Sequence, residues 1–328
     1  MSLDRPRPRR VAVIGGGQSC EHDVSLASAA SIASALDPVD HVAIRLTIAR
    51  DGIWHLGSDP LGSGPAQSLS AAVGVLAACD VAFPAVHGPM GEDGTLAALC
   101  ELAAVPYVGS GLRAGALAMD KVGTKLLAAS LGISSAHGTV VTSATASSLR
   151  WDGPVVVKPV AAGSSHGVSR VDDPELLAAA IASALVHDDR VLVEELVVGR
   201  EVDVAVMRRP DGELFVGPAL EIVSPDGTLF DLAAKYDGSA DFRLPAPLDD
   251  VERKEITEAA LALFESMGCS GVARFDFFVT TSRIVLNEVN TMPGMTAESQ
   301  VPRMFAAAGM PYPTLLAELV RGAGHASS

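Results

Sequence analysis

The sequence predicts an α/β protein of more than one domain, and three observations carry that expectation. An apolar run, Val11 to Ile14, meets a glycine turn and then a helix-like stretch from about Val24 to Leu36, and the same order recurs at Val81 to Val86, a glycine-rich turn, and Thr95 to Ala103. Strand, turn and helix in alternation build parallel sheets. Further along, short runs rich in β-branched residues replace this alternation and point to antiparallel hairpins. The 328 residues also exceed what one hydrophobic core usually holds, so two or three domains are expected.

Composition narrows the function classes. With 19% charged and 48% hydrophobic residues the chain is globular, and its formal charge of −15 argues against a nucleic-acid partner, which needs clustered Lys and Arg. Cys20, Cys79, Cys100 and Cys269 are widely separated, which suggests neither a zinc site nor a disulfide framework and fits a reducing cytoplasm. The apolar run Val11 to Ile14 is too short for a signal-peptide core, and Leu176 to Val186 is too short to span a bilayer, so no membrane association is expected.

In chain order, Gly15-Gly16-Gly17 follows the first strand. A dinucleotide-binding turn is one reading, but the glycines are contiguous and Glu21 sits where such a turn should be open and neutral. Glu21 itself reads either as an acid favoured at a helix start or as a carboxylate holding a substrate ammonium at the sheet's carboxyl edge. Strand Val42 to Ile48 follows, then a Gly/Ser/Pro-rich excursion from Gly57 to Pro65. His87 ends the Val81 to Val86 strand beside Gly88 and Gly91, as a structural or a functional histidine. Tyr107 to Gly111 closes this unit, and Met119 to Lys125 opens a helix and a second domain. Strand Val155 to Pro159 leads into Ala162-Gly-Ser-Ser-His-Gly167, either a loop closing backbone N–H groups over anionic oxygens or a plain hairpin turn. Helix Pro174 to Val186 is capped by Asp173. Strand Arg190 to Glu194 runs into Glu195 and Leu196, Gly199 permits a hinge, and strand Glu201 to Val206 could line a purine pocket with Glu201 at a ribose hydroxyl. Ser224 to Phe242 has no sustained period, and a loop this long is functional or disordered. Helix Asp250 to Met267, capped by Asp249, and two short helices after Ser299 complete the chain.

The richest stretch is Cys269 to Ser299. Gly271 to Thr280 and Ile284 to Asn290 read as a hairpin around Thr281-Ser282-Arg283. With period two, Arg274 and Asp276 share a face on the first strand and Glu288 and Asn290 share one on the second, and a three-residue turn sets Asp276 opposite Glu288 and Arg274 opposite Asn290, so all four lie on one surface. Two carboxylates and an amide are hard oxygen ligands suited to Mg²⁺, with water and phosphate filling the remaining positions. A solvated sheet face with a surface ion pair is the alternative.

These stretches together resemble the D-alanine-D-alanine ligase family of ATP-grasp enzymes, in order and over nearly the whole chain. The matching pieces are GGGQSCEHDVS at 15–25, HGPMGEDGT at 87–95, MDKVGTK at 119–125, VVVKPVAAGSSHGV at 155–168, AAKYDG at 233–238, GVARFDFF at 271–278 and LNEVNTMPGMT at 286–296. The resemblance implies a three-domain ATP-grasp fold: a Rossmann-like N-terminal domain over 1–117, a central ATP-grasp subdomain over 118–199, and a C-terminal domain over 200–328 with a lid at 224–242. It implies ATP as substrate with two Mg²⁺ or Mn²⁺ on Asp276, Glu288 and Asn290. Lys121, Lys158, Ser164, Ser165 and Lys235 correspond to phosphate-side contacts, and Glu194, Glu195, Leu196 and Glu201 to adenine and ribose contacts. The implied reaction joins two D-alanines through a D-alanyl phosphate, for peptidoglycan precursors in the cytoplasm, by a homodimer. Glu21 would hold the first amine and Arg274 the oxyanion. His87, Gly294 and Ser299 would also line the substrate subsites, and Glu21, Ser164 and Tyr236 would form a hydrogen-bonded triad. Phe230, Leu232, His166, Glu298 and Gln300 depart from the common family pattern, which leaves a paralogous ligase with a different second substrate as the alternative. The Lys235-Tyr236 pair matches the dipeptide-forming branch rather than the D-lactate branch.

Overall fold

The computed structural model describes residues 7–163, 166–223 and 241–324. Strand β1 (Arg9–Gly16) pairs in parallel with β2 (His41–Ile48) and β5 (Val81–Pro84), while β3 (Trp54–Leu56) and β4 (Asp59–Pro60) extend the β2 edge antiparallel. Val11 to Gly16 are all buried, as expected of a parallel strand covered on both faces. Val11 and Val13 face one core and Ala12 and Ile14 another, so the strand's alternation divides its side chains between two layers. Helices α1 (His22–Ala35), α2 (Pro65–Ala77) and α3 (Thr95–Leu102) flank this sheet. Helix α2 has no counterpart in the sequence reading. Its buried stripe is Ser68, Ala72 and Leu76, and with a serine and an alanine in that stripe the apolar period is hard to see.

The second sheet is antiparallel, in the order β6 (Gly138–Val141), β9 (Val191–Glu195), β7 (Val155–Pro159), β8 (Ser169–Val171). Helix α6 (Pro174–Ala184) covers one face with Ile181 and Ala184. Ahead of it, α4 (Leu112–Met119) and α5 (Lys121–Ser130) are separated by Asp120, which is extended and accepts N–H bonds from Val122 and Gly123 at 2.9 Å each. That N-cap orients the first turn of α5 and hence Lys121.

The third sheet runs β13 (Asp241–Arg243), β12 (Leu220–Val223), β10 (Arg200–Arg208), β14 (Val272–Val279), β15 (Ile284–Asn290), with β11 (Leu214–Val216) also on β10. Helix α7 (Asp250–Met267) buries Ile256, Ala260, Leu263, Phe264 and Met267 against the face carrying Phe275 and Phe277. Each such large apolar side chain contributes about 1.5–3 kcal/mol on burial. Helices α8 (Gln300–Ala307) and α9 (Tyr312–Arg321) place Met304, Phe305, Leu316 and Leu319 in a core shared by the first and third sheets. This shared core sets the carboxyl end of β1 facing the polar side of β14 and β15. Gly199, expected as a hinge, lies against β14: a Cβ there would stand 2.7 Å from the Val279 carbonyl oxygen. No described helix is long and apolar enough to cross a membrane.

Candidate active site

A cavity of about 710 Å³ opens between the sheets, and its wall includes Glu21, His87, Lys121, Gly163, Arg274, Asp276 and Glu288. Asp276 lies opposite Glu288 and Arg274 opposite Asn290, as the sequence predicted, but for a different reason. The Thr280 N–H bonds the Arg283 carbonyl at 3.1 Å, so the turn is the two residues Thr281 and Ser282 rather than three. From Val279↔Ile284 to Phe277↔Leu286 the register is one residue out, and a bulge at Asn287 restores it before Glu288. An extra residue in one strand lets two consecutive side chains share a face. Leu286 and Val289 are buried while Asn287 and Glu288 are half-buried, and the Asn287 amide lies 3.5 Å from Lys158 Nζ.

Arg274 is fixed on this face by a bidentate pair, Nε and Nη2 to the two Asp276 oxygens at 2.7 Å each. Nη1 donates to Gln300 Oε1 at 2.8 Å, and Asp203, cross-strand from Asp276, lies 3.5 Å from Nε. Burial opposes the guanidinium charge, but Asp276, Asp203 and Glu288 outweigh it and hold its pKa well above the usual value. Eight carboxylates (Glu21, Asp23, Glu92, Glu201, Asp203, Asp276, Glu288 and Glu298) but only three Lys or Arg side chains (Lys121, Arg274 and Arg303) belong to the described lining. Like charges directly opposite on neighbouring strands are destabilising unless a cation lies between them. This donor set fits a divalent ion. Among the described residues no three His, Cys, Asp or Glu converge as a metal cage, and two carboxylates with an amide are a donor set that ligand phosphate would complete around such an ion.

Glu21 is the N-cap residue of α1, but its side chain makes no capping hydrogen bond to the helix. It is buried, and glycines make room for it: a Cβ on Gly88 would stand 2.5 Å from its Oε2, and one on Gly163 2.8 Å. Gly88 also has φ +78°, a conformation that side chains rarely adopt. His87 is buried, with Nδ1 2.9 Å from the Met292 carbonyl and 3.4 Å from Glu92, and Nε2 3.0 Å from Ser28 Oγ. Burial presses the imidazole towards neutrality, but Glu92, Glu21 and the Met292 carbonyl overcome this and raise its pKa. His87 therefore ties β5 to the segment after β15.

Lys121 Nζ donates to the Ala162 carbonyl at 2.7 Å, and burial lowers its pKa despite Glu288. Lys158 pairs with Glu194, whose other oxygen is 2.6 Å from Lys125. Burial would raise the Glu194 pKa, but the two lysines reverse that and lower it. The Glu194 carboxylate, expected at the nucleotide base, is thus bound to two ammonium groups. Glu195 is half-exposed, paired with Arg283 at 2.9 Å, and the Leu196 N–H bonds the Pro154 carbonyl at 3.3 Å. Glu201 lines the cavity. Gly294 and Ser299 also line it, with Ser299 Oγ 2.8 Å from Thr296 Oγ1. Ser164, Ser165, Phe230, Leu232, Lys235 and Tyr236 lie outside the described residues, as does most of the stretch from 224 to 242. The sequence reading missed Asp203, Lys125, Glu92 and Asn287, and it named Gln300 only as a departure from the family pattern, not as a partner of Arg274. For Asp203 a signal existed, a lone acid inside the apolar run of β10.

The profile described as the D-ala D-ala ligase N-terminus matches residues 10–110, and that for the C-terminus residues 134–321. A D-alanine--D-alanine ligase from Nocardia farcinica is 41% identical, with 96% of each chain covered, and one from Mycolicibacterium smegmatis is 42% identical over 96% of this chain and 95% of its own. The chain belongs to the D-alanine-D-alanine ligase family. A solved D-Ala:D-Ser ligase from Enterococcus faecalis superposes with a TM-score of 0.81 at 34% identity, covering 96% of this chain and 99% of its own. D-alanyl-alanine synthetase A from Vibrio cholerae gives 0.82 at 29% identity, covering 96% and 98%. As a D-alanine-D-alanine ligase family member, the chain has the ATP-grasp fold of these neighbours, and its second and third sheets are the antiparallel ones.

Proposed function

We propose that this protein is an ADP-forming D-alanine-D-alanine ligase that supplies the dipeptide for peptidoglycan precursors in the cytoplasm. The observation that carries this is one cleft joining Glu21 from the start of α1, Lys121 from the first turn of α5, and Arg274, Asp276, Glu288 and Asn290 from the third sheet. The three sheets support a division into domains at 1–117, 118–199 and 200–328. A homodimer is part of the same proposal and rests on the family resemblance alone.

In this reading ATP lies between the two antiparallel sheets. Lys121, Lys158 and Lys235 meet its phosphates together with Ser164 and Ser165, and Glu195, Leu196 and Glu201 lie towards its adenosine, the Glu194 carboxylate being held instead by Lys125 and Lys158. Asp276, Glu288 and Asn290 would hold two Mg²⁺ or Mn²⁺, which supply charge neutralisation at the transferring phosphoryl group. Glu21 orients the first D-alanine through its ammonium, so that its carboxylate attacks the γ-phosphate and becomes an acyl phosphate. The amine of the second D-alanine, held near Gly294 and Ser299 and freed of its extra proton, attacks that carbonyl, and the tetrahedral intermediate expels inorganic phosphate to leave the peptide bond. The two Arg274 donors left by Asp276 and Gln300 then meet the developing oxyanion. His87 braces this wall through Ser28 and the Met292 carbonyl. Tyr236 and Ser164 would complete the triad with Glu21, and closure of 224–242 would exclude water that otherwise hydrolyses the acyl phosphate.

The test is ADP release against a panel of D- and L-amino acids and D-hydroxy acids, with mass spectrometry of the products. D-alanyl-D-alanine as the main product is expected. A different dipeptide would move the assignment to a paralogous ligase, and nucleotide binding without turnover on any acid would refute it.

A further inference from the structure

Lys125 stands outside the lysines assigned above to phosphate, yet it belongs to the same buried cluster. It follows Lys121 by one turn of α5, so both ammonium groups project from one side of that helix. Its Nζ donates to the Ala136 carbonyl at 2.7 Å and lies 2.6 Å from Glu194 Oε2. The second Glu194 oxygen is held by Lys158, which in turn reaches the bulged Asn287 at 3.5 Å. Side-chain exposure is 14% for Lys125 and 7% each for Glu194 and Lys158, so water screens these charges weakly.

The charge balance of this cluster decides what Lys158 can do. Two ammonium groups on one carboxylate leave a net charge of +1 beside the cleft. Without Lys125, Glu194 would neutralise Lys158 completely and the net charge would be zero. We propose that Lys125 is a positioning residue that occupies the Glu194 carboxylate, so that the positive charge of Lys158 remains available to the phosphate chain of the nucleotide. This inference rests on the proposed function, since it requires a triphosphate ligand in the cleft. It assigns no contact between Lys125 and that ligand. The Asn287 bulge fits the same account, because a neutral amide orients Lys158 without reducing its charge.

Calorimetric binding of Mg-ATP and of adenosine to the full-length chain tests it. Lys125→Met should weaken ATP binding by about tenfold while leaving adenosine within about twofold, because only the phosphates sense the lost charge. Lys125→Arg retains the cation and should keep ATP binding close to that of the unmodified chain. In a Glu194→Gln background the same Lys125→Met change should alter ATP affinity by less than about threefold, since no surplus carboxylate remains. That double variant removes both members of the Lys125–Glu194 pair and leaves the Lys158 ammonium beside neutral amides, so it serves as the comparison if Lys125→Met alone fails to fold. Equal losses for ATP and adenosine, or an equal ATP loss in both backgrounds, would overturn the proposal. Absence of ATP binding by the unmodified chain would refute the functional reading itself, whereas normal ATP binding by Lys125→Met would refute this inference alone.

Discussion

At the residue scale, the two facing carboxylates of the third sheet do different work in the protein without ligand. Asp276 accepts both bonds of a buried guanidinium, whereas Glu288 is half-buried at the cleft. Both Asp276→Asn and Glu288→Gln should cut ligation at saturating Mg²⁺ by at least about a hundredfold, since each removes charge where phosphoryl transfer needs it. Near-normal turnover by either variant would refute the metal assignment. Stability should separate them: Asp276→Asn also weakens a charged pair and should cost about 1–3 kcal/mol, while Glu288→Gln should leave the melting temperature nearly unchanged. His87 supplies a pH-dependent term. Its folded-state pKa is raised above the ordinary 6.5, so its contribution to stability is full below that value and is lost as pH rises through the raised one. Glu92→Gln should lower the imidazole pKa measured by NMR, and its deficit in melting temperature should be larger at about pH 5.5 than at about pH 8.5. A constant deficit would show that the Glu92 contact is not ionic.

At the element scale, helix caps differ in what they position. Asp249 and Glu252 form a reciprocal capping box on α7, and Gly268 ends that helix at φ +72°. Asp249→Ala should cost about 0.5–2 kcal/mol in denaturant unfolding with no change in turnover, because α7 packs behind β14 and faces away from the cleft. A loss of activity without a loss of stability would contradict this division of roles. Asp120 differs, because it caps α5 immediately before Lys121 and also pairs with Arg190 at 2.8 Å. The bulge in β15 is the other element-scale device. It sets Asn287 towards Lys158 and Glu288 towards Asp276 on one face, which a regular strand cannot do with adjacent residues.

At the scale of the whole molecule, the proposed second-substrate site near Gly294 and Ser299 lies in the cleft where residues of the first and third sheets meet. An incoming amine must lose a proton before it attacks, whereas a lactate hydroxyl carries no ammonium to deprotonate, so amine use should improve as pH rises. With D-alanine and D-lactate in competition from about pH 6 to about pH 9, the dipeptide should dominate increasingly towards the alkaline end. A depsipeptide prevailing there would refute the dipeptide assignment. Tyr236→Phe should impair amine transfer more than hydroxyl transfer, which the same product ratio measures.

What the sequence by itself determined was local and periodic. Side chains alternate along a strand whatever surrounds it, so Arg274 with Asp276 and Glu288 with Asn290 could be set on shared faces, and Asp249 could be recognised as a cap from its position before an apolar stripe. The cross-strand register was also legible at the site, although a shorter turn and a bulge reach it together. Tertiary structure alone decided which charges meet: Asp203 from β10 beside Arg274, Lys125 from α5 on Glu194 of β9, and His87 bound to the Met292 carbonyl. It also decided that the Glu21 side chain lies among Gly88 and Gly163 rather than making a capping bond to its own helix. The physical reason is that these contacts join segments far apart in the chain, and no local period records them. Burial then settles how much each charge matters, because a carboxylate in water and one enclosed by two lysines read identically in sequence.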